Sequence, residues 1–92
     1  MLNFGNRSTQ ELHRTGRTKS IPDIIARRAL IVLDFLDSAA SLEDIRFTRT
    51  WHFTKIKGLS PSRFMVQVKD TYWITFYWTK EGCTDVKIEH RK

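Results

Sequence analysis

Histidine, lysine and arginine side chains in the second half of the chain are the groups best suited to chemistry. Histidine can accept or donate a proton near neutral pH, while lysine and arginine mostly supply positive charge. Cutting an RNA strand uses these functions, because a proton leaves the 2′-hydroxyl, charge develops on the phosphorane and the 5′-oxygen takes up a proton. The same groups would also bind phosphate without cutting RNA. These residues therefore fit a nuclease and a protein that only binds nucleic acid equally well. The set comprises His52, Lys55, Lys57, Arg63, His90, Arg91 and Lys92.

The charge of the chain is unevenly distributed along the sequence. Sixteen basic and ten acidic residues give a net charge of +6. Residues 46–69 hold six basic residues, Arg49 among them, and no acidic one, whereas residues 29–45 hold four acidic residues and no basic one. A basic block of this kind favours a polyanionic partner such as RNA, DNA or the ribosome, although a solvated basic surface has the same composition.

Several other classes of protein are disfavoured by the sequence. It contains no phosphate-binding glycine loop, no Cys-x-x-Cys pair and no His-Glu-x-x-His motif, and its three histidines are too far apart to suggest a zinc site. We therefore expect no metal or cofactor. The longest apolar run, residues 29–33, is far too short to cross a membrane. A single cysteine, Cys83, and no visible secretory signal favour a reducing cytoplasm.

The elements that must position these residues change type near residue 50. Apolar residues at three- and four-residue spacing predict a helix over residues 22–39, with Ser20 as its cap, and Ser8 and Glu11 predict a capping box for a shorter helix ending before Gly16. Alternating residues predict strands over 51–57, 63–68, 71–78 and 84–90, and a short edge strand over 2–4. We expect one α+β domain over residues 1–92, with two N-terminal helices packed on one face of a mostly antiparallel, twisted sheet of four to five strands.

One predicted strand has aromatic residues on both of its faces. Tyr72, Ile74, Phe76 and Trp78 alternate with Trp73, Thr75 and Tyr77. Because the first set suits a core, Trp73 and Tyr77 should lie on the outward face, where they would stack nucleobases. The alternative is that the N-terminal segment or a protein partner covers them.

An ordered series of segments resembles the HigB-type toxins of the RelE/ParE superfamily and covers most of the chain. Ile56-Lys57-Gly58 is similar to the Leu-Lys-Gly of that family, and residues 63–70 resemble its strand and hairpin. The other segments that carry the resemblance are residues 12–16, 33–39, 41–46, 74–78 and 85–88.

The resemblance implies a RelE-like fold and a toxin of a type II toxin–antitoxin system. Such a toxin acts as a ribosome-dependent mRNA endonuclease, an mRNA interferase, which cuts mRNA in the A site of the 70S ribosome without a metal. The implied partner is a helix-turn-helix antitoxin of the HigA type, and the toxin alone is expected to be a monomer. The implied catalytic residues are Lys57 and, at the C-terminus, His90 or Lys92. From their charge or their aromatic rings, we expect RNA or ribosome contacts at Arg49, His52, Lys55, Arg63, Trp73, Tyr77 and Arg91.

The sequence departs from the family pattern at two positions that bear on catalysis. Trp73 stands where the family has an arginine before the Ile-Thr-Phe segment, and an indole cannot stabilise phosphate charge as a guanidinium does. Lys92 stands where the family has its last histidine, unless a shift of two residues gives that role to His90 with Glu89 beside it. Three interpretations follow: a working interferase, a catalytically impaired relative that binds antitoxin or ribosome, and a gyrase-poisoning toxin.

Overall fold

The computed structural model gives an α+β domain whose helices precede its sheet in the chain. In the part of the chain that the structure describes, three helices are followed by four strands, in the order α1, α2, α3, β1, β2, β3 and β4. The predicted fold class is thereby confirmed. The structure describes residues 3–19, 21–46, 52–56, 58, 62–80 and 82–91.

The helices are α1 (Arg7–Thr15), α2 (Asp23–Ser38) and the single-turn α3 (Leu42–Arg46). The predicted capping box at Ser8 is wrong, because α1 begins earlier and Asn6 caps it by accepting a hydrogen bond from the Thr9 amide at 3.0 Å. The predicted end of α1 is confirmed: Gly16 has φ 87°, a left-handed conformation that glycine adopts without strain. Ser20 lies outside the described residues.

The strands are β1 (Thr54–Ile56), β2 (Arg63–Lys69), β3 (Tyr72–Thr79) and β4 (Gly82–His90). They pair antiparallel in chain order, so each is a neighbour of the next. Beyond β4, the amide of Gly5 donates to the carbonyl of Val86, and the amide of Val86 donates to the carbonyl of Asn3. This parallel bridge at Phe4 extends the sheet where the sequence predicts a short edge strand.

A single core lies between the helices and one face of the sheet. The helices contribute fully buried residues such as Leu12 and Leu33, and the strands contribute Val66, Phe76 and Val86. Tyr72 and Trp78 pack against the same cluster, which confirms the predicted inward face of β3. No helix among the described residues is long and apolar enough to cross a membrane.

The other face of the sheet carries the polar and aromatic side chains, and we call it the open face. It is formed by the alternate residues of β2, β3 and β4, because successive side chains in a strand point to opposite sides. The helices that contribute residues to the core pack against the opposite face of the sheet. The open face comprises Arg63, Met65, Gln67, Trp73, Thr75, Tyr77, Asp85, Lys87 and Glu89.

Candidate nucleic-acid interface

Arg63 lies at the centre of the open face and is held there by protein groups. Its Nη1 donates to Asp85 Oδ2 at 2.9 Å, and its Nη2 donates to the Thr75 hydroxyl at 2.7 Å and to the Asp85 carbonyl at 2.9 Å. The guanidinium carbon also lies 4.6 Å from the centre of the Tyr77 ring, which adds a cation–π contact. Only 7% of the Arg63 residue surface is exposed.

These contacts correct the role predicted for Arg63. A phosphate clamp needs guanidinium donors that reach solvent, whereas both terminal nitrogens of Arg63 are bonded within the protein and the residue is buried. We therefore assign Arg63 to holding strands β2, β3 and β4 in register and not to contacting RNA.

A β-bulge brings Asp85 to this arginine. The register between β3 and β4 shifts between Thr75 and Tyr77, and Asp85 has φ 51°, in the left-handed region. A bulge of this kind inserts one extra residue and re-aims a side chain, and aspartate tolerates the left-handed conformation better than most residues. Alternation with the buried Val86 places Asp85 on the open face, and its carboxylate meets Arg63 at the bulge.

A second polar chain runs from Arg63 to the end of β4. Thr75 is 0% exposed, and its hydroxyl donates to Glu89 Oε2. Arg91 Nη1 lies 3.9 Å from the same carboxylate oxygen, and Lys87 Nζ lies 3.8 Å from Asp85 Oδ2. Two carboxylates and three cations are therefore interleaved on this side of the sheet.

The aromatic residues predicted to face outward do so. Trp73 pairs across the sheet with Gln67 and Glu89, and Tyr77 pairs with Arg63. Both are half-buried, so part of each ring is accessible above the polar network. Aromatic rings beside cations on a sheet are the usual platform for single-stranded nucleic acid.

The structure does not bring His90 to this platform. His90 pairs with Tyr72, and their rings stack with centres 4.6 Å apart. It lines a pocket of about 150 Å³ on the helix side of the sheet, together with Asn6, Ser8 and Ile21. The imidazole of His90 and the indole of Trp73 therefore belong to opposite faces.

The remaining predicted contacts are spread over other parts of the chain. Lys55 is exposed on the edge strand β1, opposite the core-facing Phe64, and His52 is exposed just before that strand. Arg91 is exposed and reaches the open face through Glu89. Arg49, Lys57 and Lys92 lie outside the described residues.

Thr75 and Asp85 are site residues for which sequence reasoning assigned no role. The sequence did indicate the face of Thr75, since this residue lies between the core residues Ile74 and Phe76 and therefore points to the same side of the strand as Trp73 and Tyr77. The same signal was present for Asp85, which alternates with the buried Val86 and Ile88, whereas the bulge beside it carries no mark in the sequence. Within the described residues, no group of three or more histidine, cysteine or acidic side chains could hold a metal ion.

No family model matches the chain, and no curated protein matches it.

Proposed function

We propose that this chain is a toxin of a type II toxin–antitoxin pair that inhibits translation by binding mRNA in the ribosomal A site. The observation that carries the proposal is the open face, where half-buried Trp73 and Tyr77 share one side of the sheet with the cations of Lys87 and Arg91. Stacking supplies affinity for unpaired bases of any sequence, and the net charge of +6 supplies attraction to the phosphate backbone. The resemblance to HigB-type toxins supports the ribosome as the place of action and a HigA-type protein as the antitoxin.

The acidic residues of α2 agree with this orientation. Asp34 and Asp37 are exposed on α2, the helix that packs on the opposite side of the sheet from Trp73. A chain that presents its open face to RNA keeps these carboxylates away from phosphate. Their repulsion would otherwise oppose binding.

Cleavage of the bound mRNA is the second candidate function, and the segment Ile56-Lys57-Gly58 favours it. In this proposal Lys57 stabilises the charge that develops on the phosphorane, and Lys92 takes the place of the family histidine. The described part of the open face argues for binding alone, because its only buried guanidinium is engaged internally and Trp73 replaces the family arginine.

The experiment that tests the proposal is expression of the protein in a bacterial host with mapping of mRNA 5′ ends. Growth arrest with intact mRNA and stalled ribosomes supports binding. New ends at codon boundaries, dependent on translation and lost in Lys57→Ala, support cleavage. Normal growth with intact mRNA would overturn both, and an SOS response with intact mRNA would point to gyrase instead.

Trp73→Ala should weaken binding of single-stranded RNA by about tenfold or more, since stacking one base on an aromatic ring contributes about 1–3 kcal/mol. Fluorescence anisotropy with a labelled oligouridine measures the change. Ile31→Ala is the matched control, because Ile31 is a 64% exposed apolar residue on α2. Equal affinities for the two variants would mean that RNA does not contact Trp73.

A further inference from the structure

The carboxylate of Glu89 is held in position on the open face by a hydrogen bond from a buried side chain. The buried Thr75 hydroxyl accepts a hydrogen bond from Arg63 Nη2 at 2.7 Å and donates its only hydrogen to Glu89 Oε2. Arg63 is a permanent donor, so the direction of the hydroxyl hydrogen is settled, and Glu89 must be the acceptor. The Glu89 side chain is nevertheless 38% exposed, so a bound molecule can reach it.

The described contacts of this carboxylate are confined to one of its two oxygens. Thr75 and Arg91 both lie at Oε2, Arg91 at the longer distance of 3.9 Å. A carboxylate oxygen has two lone pairs, so Oε2 can accept once more, and Oε1 makes none of these contacts. Asp85, by comparison, is bonded directly to Arg63 and has Lys87 beside it.

Trp73 lies directly across the sheet from Glu89. Residues paired in this way have Cβ atoms about 4.5–5.5 Å apart, so their side chains are immediate neighbours. A base stacked on the accessible part of the indole would present an edge to the carboxylate. Stacking itself is tolerant of sequence, and a preference among bases must therefore come from that edge.

A carboxylate accepts hydrogen bonds and cannot donate them, which distinguishes the four RNA bases. Guanine presents two adjacent donors on its Watson–Crick edge, the N1 hydrogen and the N2 amino group, which match two carboxylate oxygens. Adenine and cytosine place a ring-nitrogen acceptor beside their amino group, and uracil places its single donor between two carbonyls. Each of these three bases sets an acceptor against the carboxylate.

We propose that Trp73 and Glu89 form a guanine-recognition site on the open face, with Trp73 stacking the base and Glu89 reading its Watson–Crick edge. This inference rests on the proposed RNA-binding function and adds a base preference to it. Lys87 and Arg91 lie beside the carboxylates and attract the flanking phosphates, which Glu89 itself repels. The site therefore takes an unpaired guanosine within single-stranded RNA.

The test measures anisotropy of labelled oligouridines that carry one central guanosine, adenosine, cytidine or inosine, at fixed low salt. Guanosine should bind at least about tenfold more tightly than adenosine or cytidine. Inosine, which lacks the N2 amino group, should fall between. Glu89→Gln should remove the preference for guanosine, since its amide presents one donor and one acceptor. Asp34→Asn is the control, because it makes the same change of charge on α2.

The outcomes separate this inference from the proposed function. Equal binding of all four oligonucleotides, or a guanosine preference that persists in Glu89→Gln, would overturn guanine recognition and leave RNA binding intact. A preference lost equally in Asp34→Asn would also overturn it, because net charge would then be the cause. Failure of the parent protein to bind any of the oligonucleotides would overturn both proposals.

Discussion

Arg63→Ala is expected to lower the free energy of unfolding by about 2–3 kcal/mol. The substitution removes the hydrogen bonds of the guanidinium to the Asp85 carboxylate and to the Thr75 hydroxyl, and leaves Thr75 its bond to Glu89. Thr75 is fully buried, so the parent structure offers its hydroxyl no contact with solvent. The Asp85 side chain is 40% exposed, so water compensates part of its loss, and the expected cost stays below that of a fully buried pair.

Urea unfolding followed by tryptophan fluorescence measures this change. Arg27→Ala is the matched control, since Arg27 is exposed on α2 and such substitutions usually change stability by less than about 0.5 kcal/mol. Arg63→Met keeps much of the side-chain volume without the donors, and it should lose nearly as much stability as the alanine variant. A midpoint for Arg63→Ala equal to that of the parent would show that the network contributes nothing to stability.

The fold was accessible to sequence reasoning because its patterns are local. Three- and four-residue spacing from Ile25 to Leu36 describes α2, and strict alternation around Ile74 and Phe76 describes β3. The start of α1 was misplaced because Asn6 and Ser8 are both good caps, and sequence spacing does not decide between two nearby candidates.

The site was harder to predict because its contacts are not local. An arginine on the outward face of a strand has the same sequence signature whether it meets RNA or a carboxylate. Its contact with Asp85 joins two strands that are not neighbours, at a bulge that the sequence does not mark. For His90 the signal was present. Its parity with Val86 and Ile88 places it on the helix side of β4, and the structure has it there.

The packing of the covered face of the sheet determines how the side chains of the open face are arranged. Burial of Ile74 and Phe76 fixes the register of β3, and that register sets Trp73 opposite Glu89 and Tyr77 opposite Arg63. A slip of one residue would exchange the two sides of the strand. The spacing of apolar residues in β3 thus determines which polar groups could meet RNA.

Cys83 is expected to react with a disulfide reagent about a thousandfold more slowly in the folded protein than in the unfolded chain. Burial, and to a lesser extent the nearby negative charge of Asp37, raise the pKa of its thiol from an ordinary 9.0 to about 12. Because the thiolate is the reactive form, each pKa unit lowers the reactive fraction about tenfold near neutral pH. With only 2% of the residue exposed, access of the reagent is restricted as well.

Absorbance of the released aromatic thiolate at mildly alkaline pH, with and without denaturant, measures the two rates. Asp37→Asn should speed the reaction of the folded protein by much less than a thousandfold. The substitution removes the negative charge that raises the pKa of the thiol and leaves the larger effect, burial, in place. Native and denatured rates within tenfold of each other would show that Cys83 is not buried under the sheet.

The raised pKa of the Cys83 thiol also makes the stability of the protein depend on pH. The sign of this dependence follows from the number of protons bound in the folded and unfolded states. Between the unfolded pKa of 9.0 and the folded pKa of about 12, the unfolded chain has released the thiol proton and the folded chain has kept it. Stability then falls as the pH rises, since the unfolded state binds fewer protons. The contribution is complete below about pH 9 and is lost through the folded pKa. Cys83→Ala should remove the contribution of the thiol to the fall of stability with pH, which urea unfolding measures. If stability falls with pH as steeply in Cys83→Ala as in the parent, the lysines and tyrosines cause the fall.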